Sequence, residues 1–147
     1  MLNKFNGARL IEVLLVEDSP TDAILLEEAF KDAKIANKLH HVISGEEALS
    51  YLRGAKGKLP DLIMLDLNLP GINGQEVLKE IKTHERLKSI PVVVLTTSTA
   101  DEDIVKAYTH HANCYITKPV GYEKLVNVVR NIESFWLGIV TLPKVNS

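Results

Sequence analysis

Short apolar runs alternate along this chain with longer stretches whose apolar residues recur every three or four positions. Ile11–Val16, about Leu39–Ile43, Leu62–Leu65, Val92–Leu95 and the run ending at Thr117 read as strands. Ser19 is placed to cap a helix, Pro20 suits its first position, and Asp22 complements its positive end. Ala23, Leu26, Ala29, Phe30 and Ala33 then share one face, predicting a helix to about Ile35. Ser44-Gly45-Glu46-Glu47 has the form of a capping box and opens a helix through Leu52. Arg53 to Leu59 is Gly- and Lys-rich and reads as a loop, as does the Pro/Gly stretch from Leu67 to Gly74. Val77, Leu78 and Ile81 mark a third helix, and a second box, Thr99-Ala100-Asp101-Glu102, starts a fourth that runs to about His111. Leu125, Val128, Val129, Ile132 and Trp136 form the apolar stripe of a last helix.

The alternation is strand-helix repeated five times, and its strands are apolar throughout rather than on one side only. That pattern requires a parallel sheet covered on both faces. The predicted architecture is a doubly wound, flavodoxin-like α/β fold with a five-stranded parallel sheet in the order 2-1-3-4-5. Ligands in such sheets bind beyond the carboxyl ends of the strands, near the switch point between strands 1 and 3. We expect an N-terminal arm over 1–9, the domain over 10–137 and a tail over 138–147.

The polar residues at those strand ends carry the chemistry. Glu17 and Asp18 follow the first strand, Asp66 the third, Thr96 the fourth and Lys118 the fifth. A carboxylate at the tip of a core strand is costly to desolvate, so its presence points to a function. Several acids close together repel one another, and a hard divalent cation relieves the repulsion. Mg²⁺ (or Mn²⁺) on Glu17, Asp18 and Asp66 would let Asp66 act as a nucleophile toward a phosphoryl group, forming an acyl phosphate. Lys118 and the Thr96 hydroxyl would then stabilise the phosphoryl oxygens.

With 147 residues and a net charge of −2, the chain fits one domain and shows no basic face for nucleic acid. Its single cysteine, Cys114, excludes an internal disulfide. No apolar stretch approaches the ~20 residues of a membrane span, and the first residues lack a signal peptide's apolar core, so a cytoplasmic location is expected. The pairs His40-His41 and His110-His111 diverge on a strand or helix and are poor metal sites.

From about Ile11 to Trp136 the sequence resembles the receiver domains of two-component response regulators. The resemblance rests on Leu15-Val16-Glu17-Asp18-Ser19, on Asp66 in Leu65-Asp66-Leu67-Asn68-Leu69-Pro70, on Val94-Leu95-Thr96-Thr97, and on Lys118-Pro119. It implies a signalling protein, not an enzyme, whose Asp66 accepts a phosphoryl group from a histidine kinase. It further implies the Asn68 backbone carbonyl as a metal ligand, a cis bond before Pro119, and a switch coupling Thr96 to Tyr115. Thr97, Ser98 and Pro119 flank the site. The ending Ile132-Glu133-Ser134-Phe135-Trp136-Leu137 resembles the small regulators paired with cyanobacterial phytochromes, which implies a light-sensing kinase as partner.

Phe135, Ile139, Val140 and Leu142 fit poorly inside one domain and are expected to contact a second copy of the chain. No DNA-binding segment follows, so the downstream target is expected to be another protein. Three other classes fit the sequence less well. A flavodoxin-like flavin carrier is disfavoured because Glu17, Asp18 and Asp22 would repel the flavin phosphate. An aspartate-based phosphatase commonly has a general acid two residues after its nucleophile, where Asn68 stands. A nucleotide-binding Rossmann enzyme lacks its G-x-G-x-x-G turn.

Overall fold

The computed structural model describes residues 10–54, 58–118, 121–132 and 134. The strands are β1 (Ile11–Val16), β2 (Asn37–Val42), β3 (Leu62–Leu65), β4 (Val92–Thr96) and β5 (Cys114–Thr117). They are all parallel and lie in the order β2-β1-β3-β4-β5. The helices between them are α1 (Pro20–Asp32), α2 (Gly45–Gly54), α3 (Gly74–Thr83) and α4 (Asp101–Thr109), and α5 covers 122–132. This is the doubly wound architecture that the alternation of runs predicts.

The continuous apolar strands follow from the two-sided burial. Ile11, Val13 and Leu15 of β1 pack with Leu26 and Phe30 of α1 and Val129 of α5 on one face. Leu14 and Val16 point the other way, toward Leu52 of α2, Leu78 of α3 and Ala107 of α4. Successive side chains of a strand alternate between faces, so a sheet with two covers needs apolar residues at nearly every position.

Helix starts match expectation where a side chain caps them. Ser19 accepts from the Asp22 N–H and Ser44 from the Glu47 N–H, while Glu47 reaches back to the Ile43 N–H. Boundaries shift where local chemistry differs. Helix α1 ends at Asp32, before Ile35, because the chain turns out through Lys34 at φ 60°. Strand β2 starts earlier than expected, at Asn37, and α2 runs on through Arg53 to Gly54.

The expected cap of α4 is also corrected. Ala100, not Thr99, is the N-cap residue and makes no side-chain cap bond. Ser98 instead accepts from the Ala100 N–H and donates to Asp103, so the hydroxyl before the expected one organises the turn. The helix stops at Thr109, with His111 at φ 68°.

Two contacts position the loop after β3. Gly74 begins α3 so close to that loop that a Cβ there would lie 2.3 Å from the Leu67 Cα and 2.6 Å from the Asp66 carbonyl oxygen. Glu46 of α2 accepts from the Ile72 N–H, holding the far side of the same loop.

Candidate phosphoacceptor and metal site

Parallel pairing brings the carboxyl ends of β1 and β3 side by side, with Val16 opposite Leu65. The Asp66 N–H donates to the Val16 carbonyl, extending the ladder one residue past the strand and aligning Asp66 with Glu17. Glu17 is 1% exposed and Asp66 5% exposed, whereas Asp18 projects into solvent. One carboxylate oxygen from each of Glu17, Asp18 and Asp66 falls within 4.8 Å of the others.

Each buried acid is satisfied on one side by nearby backbone. Glu17 accepts from the Ser19 N–H at 3.1 Å and Asp66 from the Asn68 N–H at 2.9 Å. Lys118 covers the other side. Its backbone N–H donates to the Thr96 carbonyl, continuing the β4–β5 ladder, and so carries the side chain over the same sheet edge. The ammonium donates to Glu17 at 2.7 Å, Asp22 at 2.7 Å and Asp66 at 3.2 Å. Thr96 is fully buried and accepts from the Asn68 side-chain amide at 3.2 Å, while the same amide donates to Thr97 at 2.9 Å. Asn68 therefore links the loop after β3 to the end of β4.

The electrostatics favour a bound cation. Three carboxylates hold one ammonium and a fourth, exposed Asp18, lies beside Glu17 and Asp66, an excess of negative charge over one cation. Burial pushes the Glu17 carboxyl up to about 7, against the pull of the Lys118 and Ser19 hydrogen bonds. For Lys118, burial alone would lower the ammonium's pKa, but its bonds to Asp22 and Glu17 and the charge of Asp66 outweigh burial and leave it raised. An all-oxygen donor set from carboxylates suits a hard divalent ion such as Mg²⁺ or Mn²⁺, and exposed Asp18 leaves a side open to water and a phosphate.

Tyr115 is half-buried on β5, opposite Val94, and its hydroxyl donates to the Ser98 carbonyl at 3.0 Å. The tyrosine thus grips the loop that leads out of Thr96. Its ring lies 6.5 Å from that of Tyr108 on α4. Ser98 faces α4 through Asp103. Pro119 and the expected dimer contacts Phe135, Ile139, Val140 and Leu142 lie outside the described residues.

Sequence reading missed two participants. Asp22 appears there as a helix-dipole residue and as an acid unfavourable to a flavin phosphate, not as a site residue, yet it stands in the first turn of α1, whose N-terminus shares the edge where the strands end. That placement is the signal that could have found it. His41 of β2 lies with Nε2 2.6 Å from the Glu17 carbonyl, bracing the loop that carries the acid pair. A strand-edge histidine carries no comparable sequence signal.

Residues 13–130 match the response regulator receiver domain, and the chain belongs to that family. It is a two-component signalling protein. Among its relatives, the response regulator Rcp1 of Synechocystis is 46% identical over 89% of this chain and 92% of its own. The probable methanogenesis regulatory protein FilR2 of Methanothrix harundinacea is 45% identical over 86% and 83%. The crystal structure of the phosphorylated cyanobacterial phytochrome response regulator RcpA superposes with a TM-score of 0.81 at 45% identity, covering 92% of this chain and 99% of that one. The Mn²⁺-bound form of Rcp1 gives a TM-score of 0.77 at 46% identity, covering 90% and 98%.

Proposed function

We propose that Asp66 takes a phosphoryl group from a phosphohistidine of a sensor kinase and that the protein signals through the resulting change in its surface. The observation that carries this reading is the position of Asp66, buried, 3.2 Å from the Lys118 ammonium and within ligand distance of Glu17 and Asp18. An Asp66 carboxylate oxygen attacks phosphorus, the P–N bond to the donor breaks, and the imidazole leaves with the electron pair. Lys118 neutralises phosphoryl charge, and the Thr96 hydroxyl has to turn from Asn68 to meet a phosphoryl oxygen. Glu17, Asp18, Asp66 and the Asn68 carbonyl would hold Mg²⁺ or Mn²⁺, which supplies the charge that lets one anion approach another. A Mn²⁺-bound relative supports a divalent ion, and the clustered oxygens of Glu17, Asp18 and Asp66 support its place.

The switch we assign runs from Thr96 through Ser98 to Tyr115. Turning Thr96 inward pulls on the loop whose Ser98 carbonyl holds the Tyr115 hydroxyl, and Tyr115 meets α4 at Tyr108. Phosphorylation would then favour a second arrangement of the α4–β5 surface, to the extent that the phosphoryl group binds it better.

We assign the kinase as a phytochrome. The similarity to RcpA and Rcp1 supports this, as does the sequence after Ile132. FilR2, whose name ties it to methanogenesis, is 45% identical against 46% for Rcp1, so the test has to be functional. Phosphotransfer from candidate phytochrome kinases in red and far-red light should label the parent and not Asp66→Asn. Transfer from unrelated kinases only would refute the pairing. Among the described residues no helix is long and apolar enough to cross a membrane, and we place the protein in the cytoplasm, where fractionation should find it.

We further propose the domain over 10–137 between an arm and a tail, with Phe135, Ile139, Val140 and Leu142 joining two copies. Light scattering should show a dimer at high micromolar concentration. A monomer there, with and without acetyl phosphate, counts against the contact.

A further inference from the structure

The Glu17 carbonyl stands where the β1–β2 ladder runs out. The Glu17 N–H still donates to the Val42 carbonyl at 3.0 Å. The bond that would follow, from the Ser44 N–H to the Glu17 carbonyl, is not made among the described residues. Strand β2 ends at Val42, and the Ile43 N–H turns to the Glu47 carboxylate as α2 begins. His41 supplies the missing donor. Its side chain, exposed on the edge strand, lies with Nε2 2.6 Å from the Glu17 carbonyl oxygen. A carbonyl can only accept, so Nε2 carries the proton.

That carbonyl belongs to the peptide group between Glu17 and Asp18, so its direction sets where the Asp18 side chain starts. Asp18 has one carboxylate oxygen within 4.8 Å of oxygens of Glu17 and Asp66. Among the described residues no donor holds that carboxylate, and it projects into solvent. Glu17, by contrast, is fixed by the Ser19 N–H and Lys118. Like charges push Asp18 outward, and the His41 bond opposes rotation of the peptide group that leads into it.

On the reading that Glu17, Asp18 and Asp66 hold a divalent ion, we propose that His41 is a positioning residue for the metal. It aims Asp18 into the ligand set by clamping the Glu17–Asp18 peptide group, and so raises the affinity for Mg²⁺ or Mn²⁺ without touching the ion. A ligand already in place spares the ion the cost of ordering it, and a single hydrogen bond of this kind is worth roughly twofold to tenfold in an equilibrium.

The test is Mn²⁺ titration of the full chain by electron paramagnetic resonance, at a pH where Glu17 is ionised. His41→Phe keeps a ring and removes the donor, and should weaken Mn²⁺ binding roughly twofold to tenfold. The amide nitrogen of glutamine stands as many bonds from Cα as Nε2 does, and that of asparagine one bond fewer. His41→Gln should therefore bind like the parent and His41→Asn like His41→Phe. Combined with Asp18→Ala, His41→Phe should add no further loss, because its effect runs through Asp18. A merely structural role would lower the urea midpoint of the metal-free protein and leave the Mn²⁺ affinity of the folded chain unchanged. That result, or a His41→Phe loss that persists in full beside Asp18→Ala, would overturn the proposal. The metal reading beneath it fails separately, if Asp18→Ala and Asp66→Asn both bind Mn²⁺ as the parent does.

Discussion

At the scale of single residues, the site is a problem of charge. Three carboxylates, Glu17, Asp22 and Asp66, share one lysine with Asp18 beside them, and each acid has a different environment. Asp66 is held by one oxygen to the Asn68 N–H and by the other to Lys118. Replacing it by Asn keeps the shape and removes the nucleophile, so Asp66→Asn should fold and show no acid-stable or kinase-derived label. Stoichiometric labelling of that variant would end the assignment.

Glu17 carries a pH dependence. Its folded pKa, about 7, lies above the model-peptide value of 4.5, so the folded metal-free protein holds this proton more tightly than the unfolded chain does. On this group's account stability falls as pH rises from about 4.5 to about 7 and is level above. A divalent ion needs the deprotonated form, so Mn²⁺ affinity should climb by up to tenfold per pH unit below about 7 and flatten beyond it. Mn²⁺ titration followed by electron paramagnetic resonance checks this, and Glu17→Gln should remove the slope while weakening binding.

At the scale of elements, what could be read from sequence and what could not differ in kind. The five strands and the two-faced core were legible because parallel pairing forces apolar residues onto both sides of every central strand. The strand-end residues Glu17, Asp18, Asp66, Thr96 and Lys118 were legible because a strand end fixes direction. Asp22 and His41 were not, since their roles depend on how α1 and β2 sit against β1, a tertiary matter that spacing does not encode. The α4 start failed for a local reason: Ser98 and Thr99 are both competent caps, and Asp103 decides between their turns by binding Ser98.

Gly74 is the clearest case of a hidden constraint. Sequence places it at the end of a loop, while the structure packs it against the backbone of Asp66 and Leu67. Alanine is a better helix former by about 1 kcal/mol, so propensity alone predicts that Gly74→Ala stabilises. A Cβ 2.3 Å from the Leu67 Cα cannot be accommodated without moving the loop, and overpacking of this kind costs about 1–3 kcal/mol. The clash wins. Urea denaturation should show a net loss of stability, and phosphorylation should slow because the displaced loop begins at the nucleophile. A more stable variant with parent rates would show that α3 can retreat without cost.

At the scale of the whole molecule, the question is how a change at Asp66 reaches a partner-binding face. The route we assign has few links: Asn68 bonds both Thr96 and Thr97, the loop from Thr96 ends in Ser98, and Ser98 holds Asp103 of α4 by its hydroxyl and Tyr115 of β5 by its carbonyl. Val105 and Tyr108 stand exposed on α4. Tyr115→Phe removes one hydrogen bond of this route and leaves the ring, a net change of about 0.5–1.5 kcal/mol. It can therefore shift the balance between the two surface arrangements by at most roughly tenfold. The amide resonances of Val105 and Tyr108 report that balance. In the parent they should move on adding Mg²⁺ and acetyl phosphate; in Tyr115→Phe the metal-free positions should already differ and the added displacement should shrink, while labelling of Asp66 continues. A displacement equal to the parent's would mean that the Tyr115 hydroxyl carries none of the signal, which would then reach α4 without that hydrogen bond, as through Ser98 and Asp103.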